Sequence, residues 1–252
     1  MNNEYKRTVK KIIKSNKLHN KASPFFNRIV EDAQYEFKYD STNQKWKLSN
    51  KQLLTINNKF DNIIVILESP HIDEFNEDGS SNLPLMNDSF FKDNFGTLIN
   101  NSKNLNNKLN INKTYTIYLI NAIQLQCSLG LPTEYYRDLV FLYYWKRLEC
   151  NFKNRLRPLI NSKTYAIINL CTKGSHKKCY TLYNSKTKKM DYIYKSCCNN
   201  FLRKVYDKNC QHKNLQYLVN ESINNLIKSI NQNIQTTTGT HPSSWRYGGK
   251  ID

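Results

Sequence analysis

Four short polar segments of this sequence carry side chains able to move protons or meet charge. Glu68-Ser69-Pro70-His71 directly follows the apolar run Ile63 to Leu67. Asn121-Ala122-Ile123-Gln124 follows Tyr115 to Ile120, and Cys171-Thr172-Lys173-Gly174-Ser175-His176 follows Tyr165 to Leu170. Thr240-His241-Pro242-Ser243-Ser244-Trp245 lies near the C-terminus. A carboxylate such as Glu68 can stabilise a developing cation and orient water, and an imidazole such as His241 can donate to a developing anion. A carboxamide such as Asn121 donates and accepts together, which suits reading a polar ring edge.

The three apolar runs are continuous rather than alternating, the pattern of strands covered on both faces. Thr133 to Cys150 predicts a helix with Leu139, Val140, Tyr143 and Leu148 as core candidates, and Leu215 to Ile230 another with Leu218, Ile223, Leu226, Ile227 and Ile230. Strands alternating with helices predict an α/β fold with a central, mostly parallel sheet flanked by helices. Upstream, Tyr5, Val9, Ile12 and Ile13 share a helical face opposite Lys6, Lys10, Lys14 and Lys17. Ser23-Pro24 can start a second helix carrying Phe25, Phe26, Ile29 and Val30. Tyr35, Phe37 and Tyr39 alternate, as do Trp46 and Leu48 after a polar turn, predicting a hairpin or an extended cover over the core. There is no internal repeat, so a single domain is expected, with 1–60 as a cover and 61–247 as the core. In such sheets ligands bind beyond the carboxyl ends of the strands, so the polar segments predict one site on one edge.

The charge points to a polyanion. Lys and Arg number 38 against 20 Asp and Glu, a formal balance of +18, and each phosphate contact releases condensed counterions. Frequent Lys also fits compositional bias, as do the Asn100-Asn101 and Asn106-Asn107 pairs. Aromatic residues at 12% argue against disorder. No long apolar run or lipidation signal favours a membrane partner, and Met1 to Leu18 lacks the apolar core of a signal peptide. An intracellular monomer is expected, with its seven cysteines mostly reduced. Cys171, His176, Cys179, Cys197, Cys198, Cys210 and His212 match no compact zinc-ligand spacing, so no metal and no other cofactor is expected. The Lys- and Tyr-rich stretch Lys173 to Lys213 reads either as an insertion that grips DNA or as a solvated excursion.

The ordered set Glu68-Ser69-Pro70-His71, Asn121 and His241-Pro242-Ser243-Ser244 resembles the uracil-DNA glycosylase superfamily, over roughly 62–247. Those enzymes carry a water-activating motif after the first core strand, an Asn after the second and a His-Pro-Ser loop near the end. The resemblance implies that the central sheet is four-stranded. It also implies an enzyme that flips a base out of DNA and hydrolyses its N-glycosidic bond, leaving an abasic site. Glu68 would stabilise the sugar cation and orient water, His241 would donate to the departing base, and Asn121, with His71 and Gln124, would read it. Ser69, Pro70, Ser175, His176, Ser243 and Ser244 would contact the DNA backbone. Trp245 and Arg246 stand where the family places a wedge that fills the gap left by the base.

The departures shape the expectation. The best-known branch has Asp before the motif's Pro and Tyr after it, where this chain has Ser69 and His71. Asp73 or Glu74 is therefore an alternative catalytic carboxylate. The missing Tyr, which normally blocks 5-substituted bases, admits a modified pyrimidine such as those of phage DNA, in repair or antiphage defence. Glu before a small residue and Pro looks more like the iron–sulfur branch, but no Cys precedes Cys127, so no cluster is expected. Plainer roles stand beside these: a surface charge or helix cap for Glu68, a turn residue for Asn121, structural or surface roles for His71 and His176, and a core anchor for Trp245. Two competing functions remain open, a non-catalytic nucleic-acid-binding protein of the same fold and a metal nuclease using the acidic cluster Asp73, Glu74, Glu77 and Asp78.

Overall fold

In chain order the elements are β1 (Ala33–Asp40), β2 (Lys45–Leu53), β3 (Asp61–Leu67), α1 (Asp88–Asn101), the single turn α2 (Lys103–Asn106) and β4 (Thr114–Asn121). Then come α3 (Arg137–Leu156), β5 (Thr164–Asn169), the hairpin strands β6 (Thr181–Asn184) and β7 (Lys189–Tyr192), α4 (Leu215–Ser229) and β8 (Gln235–Thr238). The structure is a computed structural model and describes residues 29–56, 59–70, 88–125, 127, 137–173, 181–184, 189–192, 215–242, 245 and 249–251. The expected N-terminal helices lie outside the described residues except at Ile29 and Val30, which are extended instead of helical, Ile29 forming an antiparallel bridge with Leu125. So do His71, Asp73, Glu74, Ser175, His176, Ser243, Ser244, Arg246 and all the zinc candidates except Cys171.

The three continuous apolar runs form β3, β4 and β5, which pair in parallel, and β8 adds a fourth parallel strand beside β5. The full sheet is six-stranded in the order β2-β1-β4-β3-β5-β8. The expected four-stranded sheet is therefore the parallel part of a larger mixed one. The difference comes from the hairpin: β1 pairs antiparallel with β4, from Ala33 opposite Leu119 to Lys38 opposite Thr114. Tyr35 and Phe37 thereby extend the sheet instead of lying across it.

Strand alternation divides the core into two layers. Ile63, Val65 and Leu67 face α1, which presents Phe91, Phe95, Leu98 and Ile99 at helical spacing. Ile64 and Ile66 face the layer built by Val140, Phe141, Phe152 and Leu156 of α3 and Val219, Ile223 and Leu226 of α4. Beside α1, Phe37 stacks on Trp46 with ring centroids 4.9 Å apart, and Phe95 lies 5.5 Å from Phe37. α1 approaches β2 so closely that a Cβ on Gly96 would collide with the Trp46 carbonyl oxygen. Only glycine permits that approach.

The connections determine where a ligand belongs. The crossover from β3 runs over one face to β4, and that from β5 runs over the other face to β8, with α3 on the same face as α4. Neighbouring strands β3 and β5 thus send their chains in opposite directions. The carboxyl ends of such a pair flank a crevice, the topological switch point of an open sheet. Among the described residues no helix is long and apolar enough to cross a membrane.

Candidate functional site

Glu68 is the first residue past β3 and sits at the switch point, 2% exposed. The chain after β4 stays paired with it: Leu67 O accepts from Ala122 N at 2.7 Å and Glu68 O from Ile123 N at 3.0 Å. Across the crevice, Cys171 follows β5 and is 1% exposed. Burial, and secondly the nearby Glu68 charge, push the Cys171 thiol well above its ordinary pKa. A thiol held above its ordinary range stays protonated at neutral pH and is a poor nucleophile. Pro70 is buried and Ser69 half-buried.

The end of β4 is held by charged side chains. Asn121 N donates to Asp32 Oδ1 at 3.2 Å, and Asn121 O accepts from Arg155 Nη2 at 2.8 Å. Arg155 Nη1 lies 2.6 Å from Asp32 Oδ2, and Nη2 also reaches Ala122 O at 3.4 Å. Burial pushes the Asp32 carboxyl up, while Arg155 and the Asn121 N–H pull it back. Further along, Val30 N donates to Gln124 O at 3.1 Å, which ties half-buried Gln124 to the segment ahead of β1.

The ends of β5 and β8 are held by amides. Asn169 Nδ2 donates to Gln216 O at 2.9 Å, and Gln216 Nε2 donates to Asn169 O at 3.2 Å and to Gly239 O at 2.7 Å. Asn169 Oδ1 accepts from Cys171 N at 3.0 Å. The first N–H groups of α4, which lack intrahelical partners, are taken up by the crevice wall: Leu215 N donates to Lys173 O and Gln216 N to Thr172 O. Thr240 is fixed by Lys250, whose O accepts from Thr240 N at 2.9 Å and whose N donates to Thr240 Oγ1 at 2.9 Å. Half-buried His241 leaves from this anchored residue, followed by buried Pro242.

Trp245 belongs to the packing. Its Nε1 donates to Thr240 O at 2.8 Å and its ring stacks on Phe91 with centroids 5.4 Å apart. At 6% exposure it has the geometry of a core anchor, one of the two roles expected for it.

Of the residues read from the sequence, Asn121, Glu68 and His241 fall at the carboxyl ends of β4, β3 and β8 on one edge. Two strand spacings, about 10 Å, separate the ends of β3 and β8. Asn121, the last residue of β4, continues the alternation of Ile117 and Leu119 on the α1 side of the sheet. Asp32, Arg155, Asn169 and Gln216 were not singled out by sequence reasoning, although a polar Asn169 inside an apolar run is a legible signal of a buried hydrogen bond.

No family model, curated protein or solved structure matches the chain. The edge brings the buried Glu68 carboxyl group, the His241 imidazole and the buried Asn121 carboxamide to the carboxyl ends of its parallel strands.

Proposed function

We propose that this chain is a DNA glycosylase that accepts a flipped base at the carboxyl edge and hydrolyses its N-glycosidic bond. The observation that carries the reading is the burial of Glu68 at the switch point, with His241 leaving the same edge two strands away. A group that cleaves this bond must stabilise a cationic sugar on one side and an anionic leaving base on the other. Glu68 supplies the first and His241 the second, across a gap of about two strand spacings, on the order of a pyrimidine with its sugar. The net charge of +18 supplies the attraction for a phosphate backbone, and a modified pyrimidine is the favoured base because His71 replaces the tyrosine barrier.

The test is incubation with DNAs containing uracil, 5-substituted pyrimidines or glucosylated pyrimidines, in EDTA, followed by an assay for abasic sites. The expected result is release of at least one free base without strand scission by the protein itself. Strand cleavage that requires an added divalent cation would favour the nuclease reading.

A further inference from the structure

On the glycosylase reading, we propose that Arg155 and Asp32 are positioning residues that set the placement of Asn121 relative to Glu68. The β1–β4 ladder ends with Ala33 opposite Leu119, so the residues of β4 nearest the crevice have lost that neighbour. The ion pair takes over there. Asp32 receives the Asn121 N–H and Arg155 donates to the Asn121 carbonyl, so both backbone polar groups of this one residue are held by charged side chains.

That arrangement is costly to build. The side chains of Arg155 and Asp32 are 18% and 10% exposed, and removing two charges from water is often less favourable than an apolar pair of similar volume. An expensive device focused on one peptide is explained if the direction of that peptide matters. Asn121 is 1% exposed, and its Oδ1 is buried with no hydrogen-bond partner among the described residues. A buried acceptor in that state is explained when a ligand brings the donor. Asn121 and Glu68 stand at the ends of adjacent strands, so a small rotation of the clamped peptide moves the amide relative to the carboxyl group. A misplacement of about 1 Å at a reacting centre costs on the order of 10²-fold in rate.

The experiment is a pair of double-variant cycles read by single-turnover base release from the DNA that the wild type cleaves best. Arg155→Gln should lower the rate about 10²-fold and reduce the preference between bases to that of Asn121→Ala. Arg155→Gln combined with Asn121→Ala should be no slower than Asn121→Ala alone. Combined with His241→Ala, across the crevice, its effect should multiply in full. Arg155→Lys keeps the charge but loses the planar fork, and Asp32→Asn keeps an acceptor for Asn121 N; either carries the same cycles if Arg155→Gln does not fold. A multiplied loss with Asn121→Ala, or an unchanged base preference, overturns the positioning role and leaves the glycosylase reading intact. A wild-type chain that releases no base from any of the DNAs overturns that reading, and the positioning role with it.

Discussion

The two flanks of the β3–β5 crevice are built from different physics. On the β4 flank an ion pair, Asp32 with Arg155, holds one peptide through charge-assisted hydrogen bonds. On the β5–β8 flank an uncharged pair, Asn169 with Gln216, joins two strands and the start of α4. Charged groups give directional bonds but carry a desolvation cost and respond to pH. Amides carry no titration, so a fully buried amide network keeps its geometry across the whole pH range. The edge thus combines a rigid neutral wall with one peptide whose position depends on an ionised pair.

Breaking the charged flank should have the largest effect. Arg155→Met leaves the Asp32 carboxylate buried without its counter-ion and should destabilise the fold by about 3–5 kcal/mol in urea unfolding. A loss below about 1 kcal/mol would mean the pair contributes no more than a surface ion pair. Gln216→Leu should cost less, about 1–3 kcal/mol, because it strands the carbonyl oxygens of Asn169 and Gly239 without placing a charge in the core. A near-zero cost there would show that the carbonyls find other donors.

The smallest effect separates the flanks by pH. Burial raises the Asp32 pKa above its unfolded value despite Arg155. A raised acid holds its proton more tightly when folded, so its contribution to stability is complete below about pH 3.9 and is lost as pH climbs through the folded value. Wild-type stability measured against Asp32→Asn should therefore decline from about pH 3.9 upward and level off above the folded value. The difference between wild type and Gln216→Leu should stay flat over the same range. A wild-type advantage over Asp32→Asn that grows with pH would mean Arg155 outweighs burial.

What was legible in the sequence follows from local pattern. β3, β4 and β5 announce themselves because strands buried on both faces must be continuously apolar, and α4 because its apolar face repeats every turn. β8 was not legible: Gln235-Thr236-Thr237-Thr238 lies at the sheet edge, where only Thr237 is buried, so polar residues suffice. α1 escaped because Asn and Asp are interspersed with Phe91, Phe95, Leu98 and Ile99, although the spacing of those four was the available signal. α3 extends to Leu156, beyond the expected end at Cys150, because Phe152 and Leu156 continue its buried face. The antiparallel joining of β1 to β4 is a contact distant in sequence, which no local pattern encodes. The positions of Glu68, Asn121 and His241 were legible as polar residues ending folded segments. Their supports were not, since Asp32 and Arg155 look like two more surface charges until the fold brings them together.

On the glycosylase proposal, Glu68 at the switch point carries the hydrolysis. The most direct test of that role is single-turnover base release by Glu68→Gln, with DNA affinity measured on the same preparation. On that proposal the carboxylate would stabilise a sugar cation that exists only near the transition state, so the rate should fall by about 10²–10⁴-fold while affinity is unchanged or slightly improved. A Glu68→Gln variant that releases base at the wild-type rate, while Asp73→Asn or Glu74→Gln does not, would contradict it.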